Sequence, residues 1–381
     1  SFATNPGLRP ERTTSSEFGI DARFAKGRFG MDLAVYDMTT KDQIIYLPVA
    51  SSTGRSSRLA NGGAIRNTGI ELQLYGDLVK TNNFKWNSRI NLGANRAVVV
   101  SLPEGVSGGY PIVANMFPND GGTAGLEYVA VEGELLGQLK GLTFERDTVG
   151  NIIHQDGYPV VSEEKRTIGS YQPKARIGWM NSFSVGNWQA NILFDGQIGG
   201  LIYSRSHTLH NTAGNLVNDD DPHLDMNAID GRAISGVSYD SNGQPVYTEE
   251  SAGGVVGAGV MYDSNGNLVE NTVSVPLRDY YYKYYGNVWR RDNIEPSTFD
   301  ASYLKLRQLS VAYTVPKEKL ANTGLEGLTI SFIGRNLLLF SKVPTIDPET
   351  YSIRNGLFVN GYESTSMPSL RSFGFSINAN L

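Results

Sequence analysis

Trp188-Gln189-Ala190-Asn191-Ile192-Leu193-Phe194-Asp195-Gly196-Gln197-Ile198 alternates apolar and polar side chains with a period of two. In an extended strand successive side chains point to opposite faces. Trp188, Ala190, Ile192 and Phe194 therefore share one face, and Gln189, Asn191, Asp195 and Gln197 the other. The same signature recurs in both directions along the chain. Upstream lie Phe18 to Phe24, Phe29 to Tyr36, Ile70 to Tyr75, Trp86 to Asn95 and Ala175 to Phe183; downstream lie Leu328 to Arg335 and Ser372 to Leu381. One further segment, Tyr303 to Tyr313, changes phase: Leu304 and Leu306 share one parity, Leu309, Val311 and Tyr313 the other. A bulge near Arg307-Gln308 reconciles them. The count is about nine strands.

A soluble sandwich also alternates, so the connections decide between architectures. Short joints (Ala25-Lys26-Gly27, Asp77 to Asn83, Val185-Gly186-Asn187, Pro316 to Gly327) take turns with long ones (Gln43 to Asn67, Pro103 to Pro173, Arg205 to Pro296, Val343 to Pro368). Compact soluble domains seldom carry several long loops, still less all at one end of their strands. A transmembrane antiparallel β-barrel does, with short periplasmic turns and long extracellular loops. The last strand leaves a long connection and so runs inward; counting back, the first strand runs inward too. An odd number of strands beginning outside is not a complete barrel of this kind, and it cannot close a sheet by itself without leaving exposed edges. The chain is therefore expected to be a portion of a larger barrel.

Composition agrees. The 381 residues include 43 Gly, no Cys and 40% hydrophobic residues, with a net charge of -5. Mild acidity argues against a nucleic-acid partner. The lack of cysteine excludes a thiol nucleophile, a disulfide scaffold and a thiolate metal site. No apolar run reaches the roughly 18–20 residues of a membrane-spanning helix, which leaves a barrel open because its strands alternate. Nothing resembles a nucleophile elbow or a metalloprotease helix, so no enzyme activity, no catalytic residue and no cofactor is expected.

Several segments together carry a family resemblance. Asn5-Pro6-Gly7-Leu8-Arg9-Pro10-Glu11, Glu17-Phe18-Gly19 and Asn67-Thr68-Gly69-Ile70-Glu71 resemble strand entries of TonB-dependent transporters. Asp195-Gly196-Gln197-Ile198-Gly199-Gly200 and the stretch Glu295-Pro296-Ser297-Thr298-Phe299-Asp300-Ala301-Ser302-Tyr303-Leu304-Lys305-Leu306-Arg307 are similar to the SusC/RagA-like subfamily of Bacteroidetes. Gly334-Arg335-Asn336-Leu337 and Arg371-Ser372-Phe373-Gly374-Phe375 fit it too. The resemblance implies a 22-stranded outer-membrane barrel with a plug in its lumen, of which residues 1–381 would be the C-terminal nine strands, with plug and earlier strands outside this sequence. It further implies import of a bulky nutrient (oligosaccharide or oligopeptide), driven by TonB-ExbB-ExbD through the plug and assisted by a SusD-like surface lipoprotein. The bilayer and the remaining N-terminal part of the transporter are the other implied partners. Rival readings are a passive porin-like channel, a glycan-binding β protein that spans nothing, and, weakest, a barrel-borne hydrolase. The terminal Leu381 departs from the aromatic end common in such barrels.

The candidate substrate contacts are Tyr280, Tyr281, Tyr284, Trp289 and Arg290, in an aromatic-rich loop segment whose flat rings and polar edges suit sugars or peptide side chains. Loop packing is the competing reading of the same residues. The lumen-facing parity holds Arg89, Asn91, Arg176, Asn191, Asp195, Gln197 and Arg335. The histidines 154, 207, 210 and 223 are expected to be solvated loop residues, with no metal site formed by His207 and His210 or by Asp219-Asp220-Asp221 and Asp225. Three loop segments, at Tyr239 to Val246, Tyr262 to Val269 and Asp147 to Ile152, read as tight turns and not as calcium loops.

Overall fold

The computed structural model describes residues 2–3, 5–48, 52, 54–55, 57–106, 108–113, 125–212, 224–225, 237–239, 241, 245–247, 254–286, 293–321, 323–344, 346–350, 352–354 and 357–380. Nine long strands form one sheet: β1 (Arg12–Phe24), β2 (Phe29–Lys41), β3 (Ala64–Lys80), β4 (Phe84–Ser101), β5 (Ala175–Val185), β6 (Trp188–Ile198), β7 (Tyr303–Thr314), β8 (Gly327–Ser341) and β9 (Ser372–Asn380). Their spatial order is their chain order, every neighbour is antiparallel, and β1 and β9 lie at the two edges. Among the described residues no helix is long and apolar enough to cross a membrane.

Register explains the alternation. Directly opposed residues share a face, and the rows run across the sheet. Ile20, Leu33, Leu72, Leu92 and Ile177 form one row; Asp21, Asp32, Gln73, Asn91, Gly178, Asp195 and Lys305 form the next. The apolar face is exposed: Phe18 is 65% and Phe375 81% accessible. In water such a face would be unstable; in hydrocarbon it has its solvent. Two polar residues interrupt it, and both are covered by tryptophan. Trp179 donates its indole N–H to Ser88 Oγ at 3.0 Å, and Trp86 donates to Asn181 Oδ1 at 3.0 Å. Four groups that would otherwise lack partners in lipid satisfy one another.

The phase change in β7 is a bulge at Arg307. Leu306 opposes Phe194 and Gln308 opposes Leu193, so two residues of β7 span one step of β6. This turns Arg307 and Gln308 away from the apolar face while Leu306 and Leu309 both stay on it. A glycine solves a neighbouring problem on the inner face. Gly69 lies opposite Tyr36, and a Cβ there would fall 2.2 Å from the tyrosine ring. Its absence lets Tyr36 lie across the sheet and donate to Asn95 Oδ1 at 3.0 Å.

Strand ends exceed the sequence reading. β4 has 18 residues, against the roughly 9–11 that cross a bilayer. The surplus continues past the apolar band, where polar pairs such as Asp37–Arg66 replace hydrocarbon-facing residues. The described residues of the connections at 102–174, 199–302 and 342–371 build a cap beyond that end. The cap holds its own apolar cores. One packs Phe144, Ile152, Val255 and Val275 around four tyrosines. A second contains Leu126, Leu139, Tyr203, Ile294 and Tyr362, and a third Ile202, Ala301 and Val343.

Candidate functional site

Between the polar face of the sheet and the underside of the cap lies a cavity of about 1160 Å³. Strands β1 to β7 supply its wall, including Asp21, Asp32, Glu71, Arg176 and Gln197; Glu349, Thr350, Asn360 and Gly361 of the last long connection reach it from the cap. Its walls carry charge of both signs. Arg176 Nε donates to Gln197 Oε1 at 3.4 Å, which aligns the two side chains along the lumen.

The densest electrostatics sit at the rim. Tyr303, Lys305 and Arg307 alternate on the inner parity of β7 and all reach residues of the β8–β9 connection. Lys305 Nζ lies 2.7 Å from both carboxylate oxygens of Asp347 and also contacts Glu349. Arg307 grips Asp195 of β6 through Nε at 3.0 Å and Nη2 at 2.6 Å, and the same Nη2 lies 2.6 Å from Glu349 Oε1. Tyr303 donates to Glu349 Oε1 at 2.8 Å, while the Lys305 ammonium lies 4.9 Å from the Tyr303 ring centre. The Lys305 and Asp347 side chains are only 3% and 7% exposed. Partial burial disfavours ionisation of Glu349, but hydrogen bonds from Arg307, Lys305 and Tyr303 outweigh it and hold its carboxyl at a pKa of about 2. The sequence places Asp195 on the lumen parity and Lys305 and Arg307 within one motif, but assigns no role to Lys305, Asp347 or Glu349. The available signal was three polar residues at i, i+2 and i+4 in a strand whose other parity is Leu304 and Leu306.

The aromatic residues singled out in the sequence lie elsewhere. Tyr280, Tyr281 and Tyr284 fall on α2 (Leu277–Tyr284), a helix where a loop was expected, and they are 0%, 7% and 1% exposed. Spacing of i, i+4 stacks Tyr280 on Tyr284 at 5.7 Å and Tyr281 on Tyr285 at 5.4 Å. Phe144 closes on Tyr284 at 4.8 Å. These rings build the cap core and present no face to the cavity. Trp289 and Arg290 lie outside the described residues.

Two histidines expected in solvent are buried, His154 at 2% and His207 at 3% exposure. His154 Nδ1 donates to the Ile152 carbonyl at 3.2 Å and Nε2 accepts from the Tyr280 hydroxyl at 3.1 Å. Burial pushes its pKa below the ordinary value. His207 lies on α1 (Arg205–Thr212), with Ser297 Oγ 3.1 Å from Nδ1 and Asn211 Nδ2 3.1 Å from Nε2. Both ring nitrogens are engaged within the cap. His210, three residues on, is exposed, and His223 lies outside the described residues. Long-range packing, which no local pattern encodes, buries these imidazoles.

The turn segments hold as structure. Asp263 Oδ1 accepts the N–H groups of Asn265 and Asn267, each at 2.8 Å, and Asp147 Oδ1 accepts those of Val149 at 3.0 Å and Asn151 at 2.8 Å. In the third segment Val237–Tyr239 pairs with Pro245–Tyr247. The two described carboxylates are committed to their own backbones.

An open antiparallel sheet with a lipid-facing side, a polar lumen side and loops gathered at one end is the wall of an outer-membrane β-barrel. The model of the family described as "TonB dependent receptor-like, beta-barrel" matches residues 1–192, and the chain belongs to that family. Two TonB-dependent receptors of Formosa agariphila are 23% and 22% identical to it, each over 98% of this chain and 35% and 34% of the receptor. In fold it is similar to the RagAB peptide transporter, with a TM-score of 0.61 at 16% identity over 97% of this chain and 35% of that one. It is likewise similar to the closed-closed state of the RagAB peptide importer, with a TM-score of 0.62 at 18% identity over 98% of this chain and 36% of that one. The chain thus spans about a third of the length of the relatives it matches.

Proposed function

We propose that this chain forms lumen wall and extracellular cap of a SusC-like TonB-dependent transporter. That transporter actively imports a bulky nutrient, an oligosaccharide or oligopeptide, across the outer membrane. The observation that carries this reading is the two-faced sheet: an apolar row set turned outward and a charged cavity of about 1160 Å³ turned inward beneath a packed cap. The nine strands are the C-terminal portion of a larger closed barrel, whose remaining strands cover the edges of β1 and β9 and whose plug fills the lumen beneath the cavity.

Transport involves no covalent chemistry. A nutrient is captured under a SusD-like lipoprotein lid, held by polar contacts at the cavity mouth, and released inward when TonB-ExbB-ExbD pulls the plug. Tyr280, Tyr281 and Tyr284 serve capture indirectly, by packing the core of the cap, and Trp289 and Arg290 remain the candidates for direct contact. RagAB, which the fold resembles, is a peptide transporter, and this favours trying oligopeptides first.

The test is made on the intact transporter in cells. Removing its plug-coupling segment should abolish uptake of a labelled oligopeptide mixture while surface binding persists. Uptake that continues after the deletion would refute active transport in favour of a passive channel.

A further inference from the structure

Two dense polar clusters anchor the last long connection to the rest of the molecule, and described residues between them border the cavity. At the first anchor Asp347 and Glu349 meet Lys305, Arg307 and Tyr303 of the wall. At the second Glu363, fully buried, accepts from Ser204 Oγ at 2.8 Å, Ser206 Oγ at 2.6 Å and the Ser366 N–H at 2.8 Å. Ser206 also gives Glu363 its backbone N–H at 3.3 Å, in the first turn of α1. Parallel pairing of Tyr362 and Glu363 with Tyr203 and Ser204 fixes that end in register.

Between the anchors, Thr350, Asn360 and Gly361 line the cavity. Gly361 is pressed so closely against the cap segments flanking β5 and β6 that a Cβ would sit 2.4 Å from Tyr171 Cβ and 2.8 Å from the Leu201 carbonyl oxygen. Ser352–Arg354 and Leu357–Val359 pair as a small hairpin, and Val359 is buried in the second cap core.

We infer that the two anchors form a clamp that holds Thr350, Asn360 and Gly361 as a fixed rim of the lumenal cavity, with Lys305 as the positioning residue on the wall. The argument is energetic. Lys305 and Asp347 are almost wholly out of water, and neither can be left alone there without the full cost of an unpaired buried charge. Arg307 adds specificity because its fork reads Asp195 of β6 and Glu349 of the rim together. The motif strand β7 thereby carries information about the loop that follows β8, across two strand crossings. The bulge contributes as well: it lets Arg307 reach inward without moving Leu306 off the lipid face.

The chain contains no cysteine, so a Val359→Cys substitution in the intact transporter places a single reporter in this chain. Its reaction with a maleimide on whole cells should be slow while the clamp is closed. Adding Lys305→Met should speed labelling at least about tenfold, because the rim opens to let Asp347 reach water. Lys305→Arg, which keeps the cation, should leave it within about twofold of the parent. If Lys305→Met prevents barrel assembly, seen as lost heat-modifiable mobility on gels, Asp347→Asn decides from the loop side with the same expected acceleration. Unchanged labelling in an assembled Lys305→Met or Asp347→Asn protein would overturn the clamp. So would labelling in Lys305→Arg as fast as in Lys305→Met. None of these readouts requires transport, so failure of the clamp and failure of the import reading are separable.

Discussion

The wall and the cap solve opposite solvent problems with the same amino acids. On the wall, Phe375, Ile377 and Phe18 are 81%, 69% and 65% exposed; in the cap, Leu126, Leu139 and Ile294 are completely buried. The wall derives its stability from backbone ladders and from lipid, which takes the outward side chains. The cap must exclude water by packing, as a soluble protein does. Apolar residues therefore mean different things in the two regions. In the wall they face the solvent, and in the cap they face each other.

The strongest way to break that comparison is to put a charge on each side of the wall. Phe194 lies on the lipid face and stacks on Trp179 at 5.8 Å, while its neighbour Leu193 opposes Gln308 and Met180 on the inner face. Phe194→Arg is expected to cost about 2–4 kcal/mol near the middle of the apolar band. Leu193→Arg, facing the lumen, should leave assembly close to normal. The yield of heat-modifiable barrel in outer membranes measures both. Equal yields from the two would remove the assignment of faces.

Truncation in the cap comes next in size and should reverse the site of damage. Ile294 is fully buried, and its side chain lies within 2.8 Å of where a Cβ on Gly141 would stand. Ile294→Ala should cost about 2–5 kcal/mol of local stability, read as faster protease nicking of the cap in a barrel that still assembles. Ile377→Ala, on the wall's exposed face, should change neither. Loss of the barrel itself in Ile294→Ala would show that cap and wall fold as one unit.

The difference between the regions also explains what could be read from the chain. All nine strands, their short and long joints and the bulge at Arg307 were legible because a wall repeats one local rule: alternate residues meet alternate solvents. Even Gly69 makes sense once Tyr36 is placed opposite it. The cap follows no local rule. Phe144 meets Tyr284, and Ser204 meets Glu363, across long stretches of chain. Tyr280, Tyr281 and Tyr284 therefore read as available rings, although they turn out to be interior packing. The rim cluster lay between the two cases. Lys305 and Arg307 stood on the lumen parity of a strand already identified, but their partners Asp347 and Glu349 sit in a loop with no periodicity to place them.

The clamp joins the two regions, and its response to acid should be the smallest effect of all across ordinary conditions. Glu349 ionises at a pKa of about 2 in the folded protein, against an ordinary value of 4.5. A carboxyl whose pKa is depressed by folding contributes stability that is complete above its unfolded value and disappears as pH falls through its folded value. The contribution of Glu349 to rim closure should therefore be flat from neutrality down to about pH 5. It should fade only between about 4.5 and 2, as the carboxylate that Arg307, Lys305 and Tyr303 hold is protonated. Maleimide labelling of the Val359→Cys reporter, after a brief acid pulse and return to neutral pH during exposure to the reagent, cannot resolve this, because the rim recloses. Hydrogen exchange of the Glu349 and Thr350 amides measured at each pH can. Protection that is already lost at pH 5 would mean that Glu349 is not held by its three donors, and that the rim rests on Asp347 and Lys305 alone.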